Sequence, residues 1–200
     1  MDLLRARLGE LERDKELHFG AIDSIRPKFG HTIELIDSYS VTDRPNFNCV
    51  IYALELRDWQ LLDVLANTWD VERGTDSRRN DRCISADTEF LEFCIDEGPM
   101  PSISDREPRP GDLLVYSNER ECCHIGKAAT NGRISSKWGT NDLLNHKPLE
   151  VPDFFGDDLQ YLESLTGEQS RELFIEYARS VVKDDPCVKK YLEHEINTHW

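Results

Sequence analysis

An Asn-Gly dipeptide between two apolar runs places the strongest constraint on how this 200-residue chain can fold. Asn131-Gly132 separates the apolar runs at residues 123–129 and 133–138, and a third run at 113–116 precedes them. Asn and Gly tolerate the positive φ angles of a tight hairpin, so this dipeptide between apolar runs is the strongest short-range hairpin signal. The pattern therefore predicts an antiparallel meander of three strands.

A cysteine stands at the predicted start of a helix. Asn48, a residue type that caps helices, precedes Cys49, and apolar residues follow at helical spacing. Backbone N–H groups in the first turn of a helix stabilise negative charge. We therefore expect the pKa of Cys49 to be depressed and its thiolate to be nucleophilic. The alternative interpretation is a small buried hydrophobic residue.

The remaining apolar patterns predict a strand and several amphipathic helices. The sequence allows two end points for the Cys49 helix, near residues 57–58 or at about residue 69. Residues 70–83 are predicted to form a polar loop. Ser85 and Thr166 are of a type that caps helices. The predicted elements are a leucine-striped helix at 2–17, a strand at 31–41, and helices at 86–97, 168–183 and 186–200.

Charge and composition exclude some classes of partner. The chain carries 39 acidic and 24 basic residues, a formal net charge of −15, which repels phosphate backbones and anionic lipid. We expect no nucleic-acid partner and no membrane partner. The acidic N-terminus lacks a signal-peptide pattern, so we predict a cytoplasmic protein, with signal-independent secretion left open. The six cysteines form no C-x-x-C pair and are expected to be free thiols.

Three segments together resemble the NlpC-type and CHAP-type papain-fold peptidases and amidases. They are Asn48-Cys49-x-x-x-Ala53, the run Pro-Gly-Asp-Leu-Leu-Val-Tyr at 110–116, and His124-Ile125-Gly126-Lys127 followed by the 131–136 strand. The resemblance implies an α+β, papain-like core in which an antiparallel sheet packs on the helix that carries the cysteine. It covers a little over half of the chain.

The resemblance also implies catalytic roles. Cys49 is expected to be the nucleophile, His124 the residue that exchanges its proton, and Ser136 the third, orienting residue. His146 is an alternative to Ser136, and Asn48, Trp138 and His146 are expected to contact substrate, although a place in the core is the favoured interpretation for Trp138. Two departures are plain: the family has Asp-Cys-Ser-Gly where this chain has Asn48-Cys49-Val50-Ile51, and serine orients an imidazole weakly.

Zinc chemistry is the competing interpretation. Cys122, Cys123 and His124 are consecutive and of the residue types that bind zinc. Adjacent strand residues point to opposite faces of a sheet, however, so such a run seldom converges on one ion. We expect no metal and no other cofactor.

The sequence thus predicts three parts: an N-terminal amphipathic helix at 1–30, a papain-like cysteine hydrolase domain at 31–156, and a C-terminal helical extension at 157–200. The expected function is hydrolysis of an amide bond in a peptide or a side chain, by a peptidase, amidase or deamidase; acyl transfer is chemically close. A catalytically inactive binding module and a secreted bacterial amidase effector are the alternatives. The terminal helices are expected to pack on the core, to form a homodimer or to bind a partner protein. If they pack on the core, we expect the C-terminal helices to contact the 2–17 helix.

Overall fold

The computed structural model describes residues 3–14, 17–38, 48–57, 86–119, 121–138 and 142–181. The helices are α1 (Leu3–Arg13), α2 (Phe19–Ser24), α3 (Arg26–Phe29), α4 (Cys49–Ala53), α5 (Thr88–Glu97) and α6 (Gly167–Val181). The strands are β1 (Glu34–Asp37), β2 (Leu113–Asn118), β3 (Glu121–Ala128), β4 (Ile134–Lys137), β5 (Leu143–His146) and β6 (Asp158–Leu162). Single turns of 3-10 helix occupy Thr130–Gly132 and Asp153–Phe155.

The described strands form one antiparallel sheet in the order β1-β5-β4-β3-β2-β6. The predicted α+β class is confirmed at this level. The predicted meander is also present, because β2, β3 and β4 are neighbours in chain order. Between β3 and β4, Asn131 has φ 59° and Gly132 has φ 68°, the positive angles that made this dipeptide a hairpin signal.

Two hydrophobic cores lie on opposite faces of the sheet. The front face, which we define by Leu113, Val115 and Ile125, packs against α4, α5 and α6. The back face, defined by Leu114 and Tyr116, packs against α1 to α3 and the 153–155 turn. Successive strand residues alternate between the faces, so neighbours in sequence belong to different cores.

On the back face, α1 is fixed by leucines and by one buried arginine. Leu4, Leu8 and Leu11 are buried, which confirms the predicted leucine stripe. The Arg5 guanidinium donates to the Gly156 carbonyl at 2.8 Å and pairs with the Asp157 carboxylate. A buried guanidinium needs such partners because its desolvation is costly.

On the front face, α6 completes the core. Thr166 caps this helix as predicted: its Oγ1 accepts the Gln169 N–H, and the Gln169 side chain accepts the Thr166 N–H. Phe174 meets Phe90 of α5 edge-on, with ring centroids 5.0 Å apart. The C-terminal extension therefore packs on the core as far as Val181.

Some expectations need correction, and others fall outside the described residues. The predicted contact between the 2–17 helix and the C-terminal helices is wrong for α6, because α1 and α6 cover opposite faces of the sheet. The helix after Cys49 ends at Ala53, and Glu55 adopts φ 58° just beyond it. α5 is capped by Asp87. Ser85, the 70–83 loop, the helix at 186–200 and residues 39–41 of the predicted first strand lie outside the described ranges.

No helix in the described part of the chain combines the length and the apolar character that crossing a membrane requires.

Candidate active site

Asn48 fixes the start of α4 and thereby the position of Cys49. Its backbone is extended and its Oδ1 accepts the Ile51 N–H at 2.9 Å, as an N-cap does. Its Nδ2 donates to the Ala86 carbonyl at 2.9 Å, which ties the start of α4 to the segment before α5. Both ends of the amide are therefore engaged within the protein. This differs from the expected substrate contact of Asn48, since the side chain serves to position α4.

The Cys49 sulfur lies at the junction of α4 and β3. The thiol is half-buried, and the backbone N–H groups of Ile125, Val50 and Cys49 itself favour its ionised form. Burial nevertheless raises the pKa of Cys49, and the N–H groups and Lys137 only partly offset this effect. The expected depressed pKa is thus not found: desolvation outweighs the helix start.

Lys137 is the charged group that faces this thiol. The β3–β4 ladder pairs Lys127 with Ser135, and the same register continued by two residues sets Ile125 opposite Lys137. Lys137 is fully buried, with 0% of its surface exposed. Burial lowers the pKa of Lys137 to about 8, while the Asp142 carboxylate and Cys49 favour the charged ammonium.

A hydroxyl pair fixes α4 on β4. Tyr52 Oη donates to Ser135 Oγ at 3.0 Å. Tyr52 is three residues after Cys49 on the helix, and Ser135 is two residues before Lys137 on the strand. Residues three apart share a helix face, and residues two apart share a strand face. The pair therefore sets Cys49 and Lys137 on facing surfaces of α4 and β4.

His124 lies on the other side of the sheet. Its ring stacks on Phe155, with centroids 3.8 Å apart and planes at 10°, and lies 5.5 Å from the Tyr116 ring. Both aromatic rings belong to the back core, whereas Cys49 packs against the front core. The structure therefore does not bring Cys49 and His124 together, because strand alternation turns Ile125 rather than His124 toward α4.

Ser136, Trp138 and His146 also lie behind the sheet. His146 Nδ1–H donates to the Lys147 carbonyl at 2.8 Å, so Nε2 of the neutral ring accepts the Ser136 hydroxyl at 2.8 Å. Trp138 Nε1–H donates to Ser136 Oγ at 2.9 Å. All three side chains are at most 1% exposed. The predicted substrate contacts of Trp138 and His146 and the predicted orienting role of Ser136 do not match this placement.

The back-face histidines are held neutral. Burial lowers the pKa of His146 to about 4, and burial together with repulsion from His146 lowers the pKa of His124 well below its ordinary value. His124 Nε2 is buried without a hydrogen-bond partner in the described part of the chain. An imidazole so enclosed has no route to a substrate on the front face.

Comparison with protein families gives one match. The family described as a domain of unknown function, DUF7689, matches residues 38–163. The chain belongs to the DUF7689 family. No curated protein and no solved structure matches the chain. The family description names no reaction, so the chemistry of this DUF7689 member has to be argued from its own residues.

The front-face group of Cys49, Tyr52, Ser135 and Lys137 lies wholly within the DUF7689 match. Sequence analysis missed Lys137, although a signal was present: in the strand at 133–138, Ile134, Ser136 and Trp138 share one face, which leaves Ser135 and Lys137 on the other. Within the described ranges, no cluster of three or more His, Cys, Asp or Glu residues is arranged to hold a metal ion.

Proposed function

We propose that this DUF7689 member is a cysteine-nucleophile hydrolase of amide bonds, with Cys49 as the nucleophile. The observation that carries the proposal is the surroundings of the Cys49 sulfur. Three backbone N–H groups from α4 and β3, and the buried Lys137 on the facing strand, favour the ionised form of this sulfur. Such groups stabilise a thiolate, and N–H groups beside a nucleophile also stabilise the oxyanion that forms when it attacks a carbonyl.

A papain-like arrangement of the NlpC or CHAP type is the finer proposal for the fold. It is supported by a cysteine at the first residue of a helix and by the packing of that helix on an antiparallel sheet. The position of His124 behind the sheet departs from it. We therefore assign Cys49, and not the Cys49–His124 pair, to the reaction.

The test is acylation of Cys49 by amide substrates. The protein is incubated with a peptide library that contains backbone amides and Asn and Gln side-chain amides, then quenched in acid and analysed by mass spectrometry. We expect a hydroxylamine-labile acyl adduct on Cys49 and hydrolysed products, with fragments marking a peptidase and acid side chains marking a deamidase. Cys49→Ala is expected to lower turnover by about 10³-fold or more.

Cys123→Ala is the matched control, because Cys123 is also a half-buried free thiol but lies within β3 and not at the start of a helix. It should keep the adduct and the turnover. Equal turnover in the wild type and in Cys49→Ala would contradict the proposal.

A catalytically inactive binding module is the second candidate. The observation that favours it is the raised pKa of Cys49 together with an imidazole enclosed on the wrong face. Such a module binds peptides from the same library without forming an adduct or a product. Retention of unmodified peptides by both the wild type and Cys49→Ala is the outcome that selects it.

A further inference from the structure

The hydrolase proposed above needs a group that moves protons, because the Cys49 thiol is neutral near pH 7. Burial raises its pKa, so the proton has to leave as the sulfur attacks. The histidine expected for this task stacks on Phe155 behind the sheet. The proton acceptor must therefore come from the front face.

The contacts of α4 with β3 and with β4 place Cys49 at the same level of the sheet. Along β3, the Ile125 N–H favours the ionised form of Cys49, and two residues later Lys127 Nζ lies 5.5 Å from the centre of the Tyr52 ring. Along β4, which runs the opposite way, Tyr52 bonds Ser135, and the position two residues further on is Lys137. Both strands thus give the same alignment, with Cys49 level with Ile125 and Lys137.

We propose that Lys137 is the proton-transfer partner of Cys49 in this reaction. The proposal rests on the proposed function and replaces the histidine with a fully buried lysine on the strand that faces α4. Asp142 supplies the negative charge that acts on the Lys137 ammonium. The Asp142 carboxylate is itself held, since its Oδ2 accepts the Phe19 N–H at 2.6 Å.

The chemistry balances with these groups and water. Neutral Lys137 takes the thiol proton as the sulfur forms a bond to the substrate carbonyl carbon, whose π electrons move to oxygen. The tetrahedral adduct collapses, the C–N bond breaks, and the Lys137 ammonium gives its proton to the leaving amine. Water then attacks the thioester and passes a proton to Lys137, the C–S bond breaks, and Lys137 returns a proton to the sulfur.

A lysine in this environment suits that cycle. With a pKa of about 8, a substantial minority of Lys137 is neutral at pH 7.5 and able to accept a proton. Desolvation is the cause, as in other lysines that act as bases. An exposed lysine, whose pKa is not lowered by burial, would stay charged at pH 7.5.

The test measures the rate at which iodoacetamide alkylates Cys49, read by mass spectrometry from pH 6 to pH 10. In the wild type, the rate should rise near pH 8. Lys137→Met keeps the length of the side chain and removes the amine. Its rate at pH 7.5 should fall at least about tenfold, because the thiol loses the base that takes its proton. Its midpoint should move up, because the ammonium that favours the thiolate is also lost and an opposite charge shifts a pKa by about 1–3 units. Lys127→Met, also on the front face, should stay within about twofold of the wild type.

A second variant tests the role of Lys137 if Lys137→Met does not fold. Asp142→Asn keeps an oxygen for the Phe19 N–H and removes the charge that raises the pKa of Lys137. The midpoint should then move to lower pH. An unchanged midpoint in the folded variants would overturn the role of Lys137 and leave Cys49 as nucleophile. A wild type in which Cys123 is labelled and Cys49 is not, at any pH, would instead remove the proposed function.

Discussion

Mild acid should destabilise the protein through the histidines behind the sheet. His146 is fully buried and fully hydrogen-bonded as a neutral ring: Nδ1–H reaches the Lys147 carbonyl, and Nε2 accepts the Ser136 hydroxyl, which in turn accepts the Trp138 indole N–H. A second proton on the ring would sit at Nε2 and face the Ser136 oxygen. Ser136 would then have to turn its own hydrogen away, with no water in the core to receive it.

The sign of the effect follows from proton binding in the two states. The pKa of His146 is about 4 in the folded protein, against the ordinary 6.5 once the chain unfolds. Between these values the unfolded state binds more protons, so stability is complete above pH 6.5 and is lost as the pH falls toward 4. From pH 7.5 to pH 5.0 the loss is about 2 kcal/mol, since each full pH unit between the two pKa values contributes about 1.4 kcal/mol.

The pH range is chosen to separate histidines from carboxylates. The pKa values of Glu150 and Asp112 are lowered by hydrogen bonds to Thr32 and Arg106, so their contribution is lost below their ordinary values of 4.5 and 3.8. At pH 5.0 these groups are still mostly ionised in both states. The lowered pKa of His124 acts in the same direction as that of His146.

The assay is urea unfolding of the wild type and His146→Gln at pH 7.5 and pH 5.0. Gln retains an oxygen that can accept the Ser136 hydroxyl and does not titrate. We expect the pH-dependent loss of unfolding free energy to be smaller in His146→Gln by about 2 kcal/mol. His18→Gln, which makes the same substitution at an exposed histidine at the start of α2, is the matched control. An equal loss of unfolding free energy between pH 7.5 and pH 5.0 in the wild type and in His146→Gln would refute the reasoning.

Three further predictions concern stability. Asn48→Ala removes the α4 cap and the Ala86 contact and should cost about 1–2 kcal/mol in urea unfolding. Asn118→Ala removes a long 3.4 Å side-chain hydrogen bond to the Phe154 carbonyl at an exposed site and should cost under about 0.5 kcal/mol. Gly126→Ala would set a Cβ 2.6 Å from Ile134 Cγ2 and should cost about 1–3 kcal/mol; an unchanged midpoint would show that β4 can yield. Truncation after residue 156 removes β6 and α6 from the front core and should give an aggregating protein by light scattering; a soluble product with the wild-type melting temperature would contradict the packing described for α6.

Local sequence determined the features that depend on residues within a few positions of one another. The Asn131-Gly132 hairpin, the Asn48 cap and the Thr166 cap were all predicted and all occur, because each rests on the conformational preference or hydrogen bonds of residues within a few positions. The leucine stripe of α1 and the apolar face of α6 follow equally from helical periodicity. These patterns also sufficed for the α+β class.

Which side chains meet was decided only by tertiary structure. Alternation along β3 shows that His124 and Ile125 point to opposite faces, but it does not say which face receives α4. A register irregularity between Tyr116 and Ser117, where Tyr116 pairs with His124 and Ser117 with Cys122, adds one residue to that strand. A shift of one residue turns every side chain of a strand to the other face, so the side chains that face Cys49 depend on how the helical layer meets the sheet, and no local preference encodes this.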